Sequence, residues 1–334
     1  MFYDMLSKHF SDKIIVLIAS AVAFFITFIL MAKPFGFLPR DGGKFVTDKD
    51  GNRVEVNKAS SGKVTGVGLL LVIIWIVSAV LFLPLHWATQ KDYVIYLVLA
   101  FIMMLTGYLD DCAKAPWGEL VKGLLDFVLA LAAALVFVKF NDTNVSFFKW
   151  NFNIPVWLYV ILAVALIWGS INVTNCSDGV DGLCGTVTVI ELFTFSVIFG
   201  KDSYMTSYTA LGTVMAFVLV GYLAYNWNPS TVLMGDAGSR TIGFFLALLA
   251  MKSGHPFAFL LLSLVFIIDG GLGLVKLTLL RTIHFNPFKN IRLPLHDHMR
   301  KNKNWSIPKI VIFFALCQIV MSVITGVIIH VFSR

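Results

Sequence analysis

The sequence is poor in charged residues. Asp, Glu, Lys and Arg make up 13% of its 334 residues, whereas about 25% is usual in soluble domains. Hydrophobic residues make up 58%, and the mean hydropathy is +0.84. The shortage of charge excludes an ordinary soluble protein and predicts an integral membrane protein.

Cysteine patterns and processing signals are also lacking. The four cysteines form no Cys-x-x-Cys pair and stand at no metal-binding spacing from a histidine, so no disulfide framework or zinc site is implied. The first residues, MFYDMLSKHFSDK, precede no small-residue cleavage motif, and we expect the first apolar segment to be a retained membrane span. The sequence shows no transporter-like repeat or low-complexity linker, which predicts one polytopic membrane domain over residues 1–334.

Basic residues outnumber acidic ones. The formal net charge is +7, which in a soluble protein would suggest nucleic-acid binding. In a membrane protein, topology and contact with anionic lipids explain the same excess. We therefore expect the lipid bilayer, and no nucleic acid, as a partner.

Long apolar runs dominate the chain, and a membrane-spanning helix needs about 20 apolar residues. That length selects ten segments: 14–32, 64–83, 93–109, 119–139, 154–170, 183–200, 205–225, 239–252, 256–280 and 308–332. The predicted fold class is an all-α integral membrane protein with ten transmembrane helices. The stretch FVTDKDGNRVEV, between the first two segments, predicts a β-hairpin with an Asp-Gly turn.

Lysine and arginine distinguish the two sides of the predicted bundle. Most lie in or beside the loops that follow the odd-numbered segments: 33–63, 110–118, 171–182, 226–238 and 281–307. The positive-inside rule places these loops in the cytoplasm and both termini outside the cell. Most of the acids and histidines capable of chemistry fall on this side as well, which predicts an active-site cleft on the cytoplasmic face.

The stretch GYLDDCAK ends the third predicted span with Asp110 and Asp111. Two carboxylates at a helix C-terminus meet the negative end of the helix dipole. Either they form an ordinary solvated helix end, or a cation offsets the repulsion, and Mg²⁺ suits such hard oxygen ligands. Adjacent carboxylates also point in different directions, so one can bind metal while the other handles a proton.

Two polar stretches follow further along. In NCSDGVDGLCG, residues 175–185, Asn175, Asp178 and Asp181 can bond sugar hydroxyls or base N–H groups, although a polar turn with a helix cap would look similar. In YNWNPSTVLMGDAGSR, residues 225–240, Asp236 falls where a helix should begin, and Asn226 adds an amide. Asp236 is either an N-cap or a metal ligand beside a helix N-terminus that favours phosphate.

The last inner loop, RLPLHDHMRKNKNW, carries His296 and His298 on either side of Asp297, among basic residues. Such groups suit a phosphate-rich substrate. The alternatives are a positive-inside loop with incidental histidines, or a zinc pair for which further ligands at a convincing spacing are lacking.

Two functions explain these features. An enzyme that transfers a phosphosugar from a soluble nucleotide donor to a lipid phosphate would use the polar groups of the inner side. A transporter would use the intramembrane acids Asp126, Glu191 and Asp269 as an ion path, with functional groups on both sides and often with duplicated halves. The one-sided clustering favours the enzyme.

Four stretches in order resemble the polyprenyl-phosphate N-acetylhexosamine-1-phosphate transferases: GYLDD, NVTNCSDGVDGL, NPSTVLMGDAGS and PLHDHMRKNKNW. The resemblance covers the whole chain and is strongest to members with a muramoyl-pentapeptide donor; other members transfer GlcNAc-1-phosphate from UDP-GlcNAc. It implies a transferase with ten helices and a cytoplasmic cleft in the bacterial inner membrane, and it is compatible with a homodimer.

The resemblance also implies a reaction, in which UDP-N-acetylmuramoyl-pentapeptide and undecaprenyl phosphate give lipid I and UMP with Mg²⁺ as cofactor. Asp236 would be the metal ligand, and the catalytic residues would be Asp110, Asp111, Asp236 and His296. The substrate-binding positions would be Lys58, Lys114, Lys122, Asn175, Asp178, Asp181, Asn226 and His298. Both direct attack by the lipid phosphate and a phospho-aspartate route are open; direct attack needs no enzyme intermediate and is favoured.

Three positions depart from the family pattern. Asp297 replaces the middle histidine of a C-terminal triplet, and GKVTGVG, residues 62–68, lacks the proline of the family's Thr-Pro-Thr-Met-Gly-Gly stretch. Leu233 stands where an aromatic residue able to stack on uracil is expected. These departures weaken the case for a catalytic role at position 297 and for the role of Lys58, and they predict altered base packing.

Overall fold

The computed structural model describes residues 2–33, 36–41, 45–47, 53–55, 62–84, 91–113, 117–147, 150–200 and 206–332. Its helices are α1 (Phe2–Leu6), α2 (Asp12–Ala32), α3 (Gly68–Phe82), α4 (Lys91–Asp111), α5 (Glu119–Phe140), α6 (Val156–Ser177), α7 (Leu183–Phe199), α8 (Thr206–Asn226), α9 (Gly235–Lys252), α10 (Pro256–Leu262), α11 (Leu264–Phe266), α12 (Leu272–Ile283), α13 (Leu295–Asn302) and α14 (Ile307–Phe332).

Each of the ten predicted apolar segments is helical over most of its length. Among the described residues, six helices are long and apolar enough to cross a membrane, or seven when the bent segment from α10 to α12 counts as one span. Helices suit such sequences because they satisfy every backbone N–H and C=O group within one apolar segment. The protein is therefore a mostly helical, multi-pass membrane protein.

Helix α9 lies at the centre of the bundle. It packs against α3, α4 and α6, and every residue from 237 to 252 is buried. Its stretch from Ile242 to Met251 accordingly consists only of glycine and apolar residues and shows no polar face. Because α9 begins at Gly235, its first turn places Asp236 beside the C-terminal ends of α4 and α6.

The ninth predicted segment is bent by 60°. Helix α10 follows His255, α11 ends at Phe266, and a π-helical turn covers Ile267–Gly271 before α12 begins. None of the residues of α12 is buried. Asp269 lies within the π-helical turn and is itself buried.

Two short hairpins complete the described structure. Strands β1 (Phe45–Thr47) and β2 (Arg53–Glu55) pair antiparallel, which confirms the predicted strands; the turn between them lies outside the described residues. Strands β3 (Asn144–Phe147) and β4 (Trp150–Asn153) also pair antiparallel. This second hairpin and the short helix α13 were not predicted, because neither contains a long apolar run.

Candidate active site

Lys122 of α5 joins two of the predicted acids. Its ammonium group contacts the Asp110 carboxylate at the end of α4 and lies 3.0 Å from Asp236 Oδ2 in the first turn of α9. The other Asp110 oxygen accepts a hydrogen bond of 2.7 Å from the backbone N–H of Trp117. Asp110 is 6% exposed, so it does not form the solvated helix end that was one alternative.

Asp111 binds the N-terminus of α9. Its two carboxylate oxygens accept hydrogen bonds from the backbone N–H groups of Asp236, at 3.0 Å, and Ala237, at 3.1 Å. The positive end of the α9 dipole thereby offsets the unfavourable position of this carboxylate at the α4 C-terminus. Gly235 makes the approach possible, because its φ of 67° and its missing side chain bring the turn against the Asp111 carboxylate.

Asp236 is not the N-cap of α9, since the cap position is Met234. Its Oδ1 accepts a 2.9 Å hydrogen bond from Nδ2 of Asn175, which also donates to Ser239 Oγ at 2.9 Å. Burial by itself would raise the pKa of Asp236, but the Lys122 charge and the Asn175 hydrogen bond lower it below its ordinary value. The carboxylate is therefore held ionised with its acceptor sites directed at cationic and amide groups.

The carboxylates of this cluster suit a Mg²⁺ ion that takes only some of its ligands from the protein. No group of three or more His, Cys, Asp or Glu side chains arranged for a metal occurs among the described residues. Mg²⁺, however, usually binds one or two carboxylates and completes its shell with water and substrate phosphates. Asp110 and Asp236 already share one cation, the Lys122 ammonium, and so present two carboxylates to a common position.

Asp181 forms a second polar centre, in the loop between α6 and α7. Its Oδ2 accepts hydrogen bonds from Asn228 Nδ2 and the Ser230 backbone N–H, both at 3.1 Å, and from Lys63 Nζ at 3.2 Å. Burial would raise the pKa of Asp181, but these hydrogen bonds and the Lys63 charge lower it. Lys63 also donates to Ser230 Oγ at 2.8 Å, so it connects two loops of the site.

Asp178 and Asn226 lie in different electrostatic and hydrogen-bonding environments. Burial and the nearby charges of Asp236, Asp111 and Asp181 raise the pKa of Asp178 well above its ordinary value. The Asn226 oxygen accepts from Gly182 N–H at 2.9 Å, and its amide donates to the Val232 carbonyl at 2.8 Å. Both Asn226 groups thus already hold the loops together, which the sequence did not reveal.

The histidines of α13 lie in different environments. His296 is 2% exposed and is bonded to Asp269, whereas His298 Nδ1 accepts from the Arg292 N–H at 3.3 Å. Asp297 pairs with Arg300 at 2.7 Å and with Lys301 at 2.8 Å. Burial alone would raise the pKa of Asp297, but the hydrogen bond from Lys301 and the positive charges of Arg300 and Lys301 lower it below its ordinary value. Its carboxylate is engaged on its own helix.

The structure brings Asp110, Asp111, Lys122, Asn175 and Asp236 into one connected cluster. Lys58 and Lys114 lie outside the described residues. Sequence reasoning missed Lys63, Ser239 and Asp269 as members of the site. A lysine inside the glycine-rich GKVTGVG stretch was a usable signal for the first, but Ser239 and Asp269 sit within apolar helices and depend on contacts between distant segments.

Comparison with known proteins defines the class first. The family described as glycosyl transferase family 4 matches residues 93–254, which contain all of the clustered acids named above. The chain is 37% identical over 322 residues to the phospho-N-acetylmuramoyl-pentapeptide-transferase of Treponema pallidum (strain Nichols), covering 90% of this chain and 85% of that protein.

Proteins with the same description in Rickettsia prowazekii (strain Madrid E) and Wolbachia pipientis wMel are 27% and 28% identical over 303 and 259 residues. These alignments cover 81% and 72% of this chain, and 80% and 78% of the two relatives. The chain belongs to the phospho-N-acetylmuramoyl-pentapeptide-transferase family, as the resemblance noted in the sequence led us to expect.

Proposed function

We propose that this protein transfers phospho-N-acetylmuramoyl-pentapeptide from its UDP-linked donor to undecaprenyl phosphate, giving lipid I and UMP for peptidoglycan synthesis. The observation that carries the proposal is the 37% identity to a transferase of that name over 90% of the chain. The joined Asp110, Lys122 and Asp236 side chains support it, because they lie inside the part matched by the glycosyl transferase family.

The reaction proceeds by direct attack of the lipid phosphate on the sugar-bearing phosphorus, with UMP leaving on the opposite side. Asp111 is poorly suited to a covalent intermediate, because both of its oxygens accept backbone N–H groups of α9. Asp110 is engaged as well, by Lys122 at one oxygen and by the Trp117 N–H at the other, which also disfavours a covalent intermediate there. Because one of its partners is a side chain and not the backbone of α9, Asp110 is the carboxylate that we assign to accept a proton from the lipid phosphate. We therefore retain both acids in catalytic roles, with Asp111 orienting the first turn of α9.

Mg²⁺ is the cofactor, with Asp236 as its main ligand and Asp110 beside it. When bound, the ion supplies charge neutralisation for the pyrophosphate and for the departing UMP. Lys122 keeps the two carboxylates together and provides a cation for a substrate phosphate. Asn175 orients Asp236 through its 2.9 Å hydrogen bond.

The donor nucleotide and sugar bind along the loops of residues 178–182 and 226–230. Asp178 and Asp181 serve as acceptors there, and Asn226 acts by holding the two loops in register through Gly182. His296 is catalytic and His298 contacts substrate in this proposal. Lys58 and Lys114 add basic groups for phosphate.

The whole chain acts as one polytopic transferase domain, residues 1–334, in the bacterial inner membrane. We place ten spans across the bilayer, both termini outside and the catalytic cleft in the cytoplasm, where the soluble nucleotide donor is found. Support comes from the helical state of all ten apolar segments and from the distribution of lysine and arginine. The homodimer stays a prediction.

A UMP-release assay tests the function. Purified protein in detergent is supplied with undecaprenyl phosphate and Mg²⁺, and with either UDP-N-acetylmuramoyl-pentapeptide or UDP-GlcNAc. We expect UMP only with the muramoyl donor. Turnover with UDP-GlcNAc alone would replace the proposed substrate, and ion flux in vesicles without UMP release would favour a transporter.

A further inference from the structure

A buried carboxylate binds His296 at two points. Asp269 Oδ1 accepts the backbone N–H of His296 at 2.8 Å, and Asp269 Oδ2 lies 2.8 Å from the ring atom Nδ1. The two side chains are 2% and 3% exposed. Asp269 belongs to the π-helical turn of the bent segment and His296 to the first turn of α13. A single π-helical turn within an α-helical segment is frequent at functional sites.

The two contacts determine which ring nitrogen carries the proton. An ionised carboxylate only accepts hydrogen bonds, and the backbone N–H occupies Oδ1. With Asp269 ionised, the ring donates from Nδ1 to Oδ2, which leaves Nε2 without a proton in the neutral imidazole. A carboxylate that fixes a histidine tautomer in this way is a recurrent device in catalytic sites.

The other ring nitrogen faces the donor loop. A methyl group placed on Gly179 would lie 2.6 Å from His296 Nε2. Nε2 can therefore lie against the loop of residues 178–182 only because residue 179 has no side chain. Gly179 lies between Asp178 and Asp181, two of the predicted substrate-binding residues. Nε2 is thus directed at the side of the site where the nucleotide-sugar is expected.

We propose that Asp269 is a positioning residue of the transfer reaction, which fixes His296 with its proton on Nδ1 and presents Nε2 as an acceptor for a substrate O–H group. The inference rests on the proposed function and extends it to a residue that the sequence motifs do not include. The O–H group belongs either to a hydroxyl of the nucleotide-sugar or to the protonated lipid phosphate. Nε2 either accepts a hydrogen bond or takes up the proton; in the second case the substrate O–H bond breaks, an Nε2–H bond forms, and the electron pair stays on the substrate oxygen. No covalent bond forms between the ring and a substrate heavy atom.

Asp269→Asn gives a sharp test, because the amide has one acceptor and one donor. The His296 backbone N–H requires the amide oxygen, so the NH₂ group is turned towards Nδ1. Nδ1 must then accept, and the proton moves to Nε2. We expect ¹⁵N spectra of histidine-labelled protein to show the Nδ1-protonated form in the parent and the Nε2-protonated form in the variant, with the His296 signal assigned by His296→Gln.

Kinetics test the consequence for transfer. Loss of a positioned acid–base group costs about 10²- to 10⁴-fold in rate, and we expect Asp269→Asn to lower kcat by at least about tenfold. A raised KM for the lipid would place the O–H group on the lipid phosphate, and a raised KM for the nucleotide donor would place it on that substrate. In a His296→Gln background, Asp269→Asn should add little, because the residue acts through the ring.

Glu191→Gln is the matched control. Glu191 is another buried acid of the bundle, and its Oε1 contacts the Ser263 hydroxyl. Its replacement should leave the His296 spectrum and kcat near those of the parent. An Nε2-protonated parent, or equal losses from Asp269→Asn with and without His296, would overturn the inference. The parent spectrum needs no turnover, so it still decides the point if the variant does not fold or the proposed reaction is wrong.

Discussion

Asp111 shows how the environment of one residue can differ from what its position suggests. At the C-terminus of α4 it should be electrostatically unfavourable, and the sequence therefore predicted either a solvated helix end or a cation beside it. The structure instead supplies the N-terminus of a second helix, 125 and 126 residues away in sequence. The sequence singled out Asp111 for its position, but its observed partner depends on a long-range contact that no local pattern encodes.

The first prediction at this scale concerns Asp236. Asp236→Asn keeps the shape of the side chain and removes the charge that faces Lys122, so we expect Mg²⁺-dependent UMP release to be lost while the protein stays folded. UMP release and thermal unfolding in detergent measure the two effects. Asp297→Asn is the control, since its carboxylate pairs with Arg300 and Lys301 on its own helix. Near-normal turnover of Asp236→Asn would remove this residue as the essential ligand.

At the scale of helices, the length and apolarity of the segments were enough to predict where helices form. All ten apolar segments are helical, because a run of about 20 apolar residues has few other stable states in a bilayer. The bend around Ser263 and the π-helical turn at Asp269 were not predictable in the same way. They arise where α11 and the following turn pack against other helices, and in the local sequence LLLSLVFIIDGG only Ser263 interrupts the apolar run before Asp269.

The turn that begins α9 yields the second prediction. In Gly235→Ala, the alanine would have to adopt the positive φ of residue 235, which is strained for any residue but glycine. Its methyl group would also collide with the Asp111 carboxylate. A strained backbone residue costs about 1 to 3 kcal/mol, and displacement of the helix N-terminus should also reduce turnover. Gly254→Ala is matched, because Gly254 has a φ of 69° but the added carbon would meet no atom of the described residues within 4 Å. Equal activity losses in the two variants would show that contact with Asp111 is unimportant.

The third prediction concerns the packing of α5 against α9 side chains. Arg240 is paired with Asp126, with Arg240 Nε at 3.1 Å from Asp126 Oδ1, and both residues are buried. Arg240→Met leaves an uncompensated carboxylate, for which about 3 to 5 kcal/mol of destabilisation is usual. Adding Asp126→Leu should restore much of the loss. Thermal unfolding in detergent measures both steps, and a double variant less stable than Arg240→Met would contradict the pairing argument.

At the scale of the whole molecule, the distribution of charge predicts orientation. The fourth prediction uses single cysteines introduced in a background without the four native ones. Lys8→Cys, before α2, should react in intact cells with a reagent that cannot cross the membrane. Lys301→Cys, at the end of α13, should react only after permeabilisation. The reverse pattern would invert the proposed topology, and labelling of both sites in intact cells would contradict the ten-span arrangement.

The contacts of Lys122 with Asp110 and Asp236 offset the repulsion between the two carboxylates. An ammonium group that contacts Asp110 and Asp236 acts as a counterion supplied by the protein itself, so we expect α4, α5 and α9 to stay together without a divalent ion. The fifth prediction is that chelation stops UMP release yet leaves the unfolding temperature in detergent unchanged. Lys122→Met should reverse that independence: its unfolding temperature should fall on chelation and recover when Mg²⁺ is returned. Because of Lys122, the divalent ion would then be needed for turnover but not for the stability of the fold.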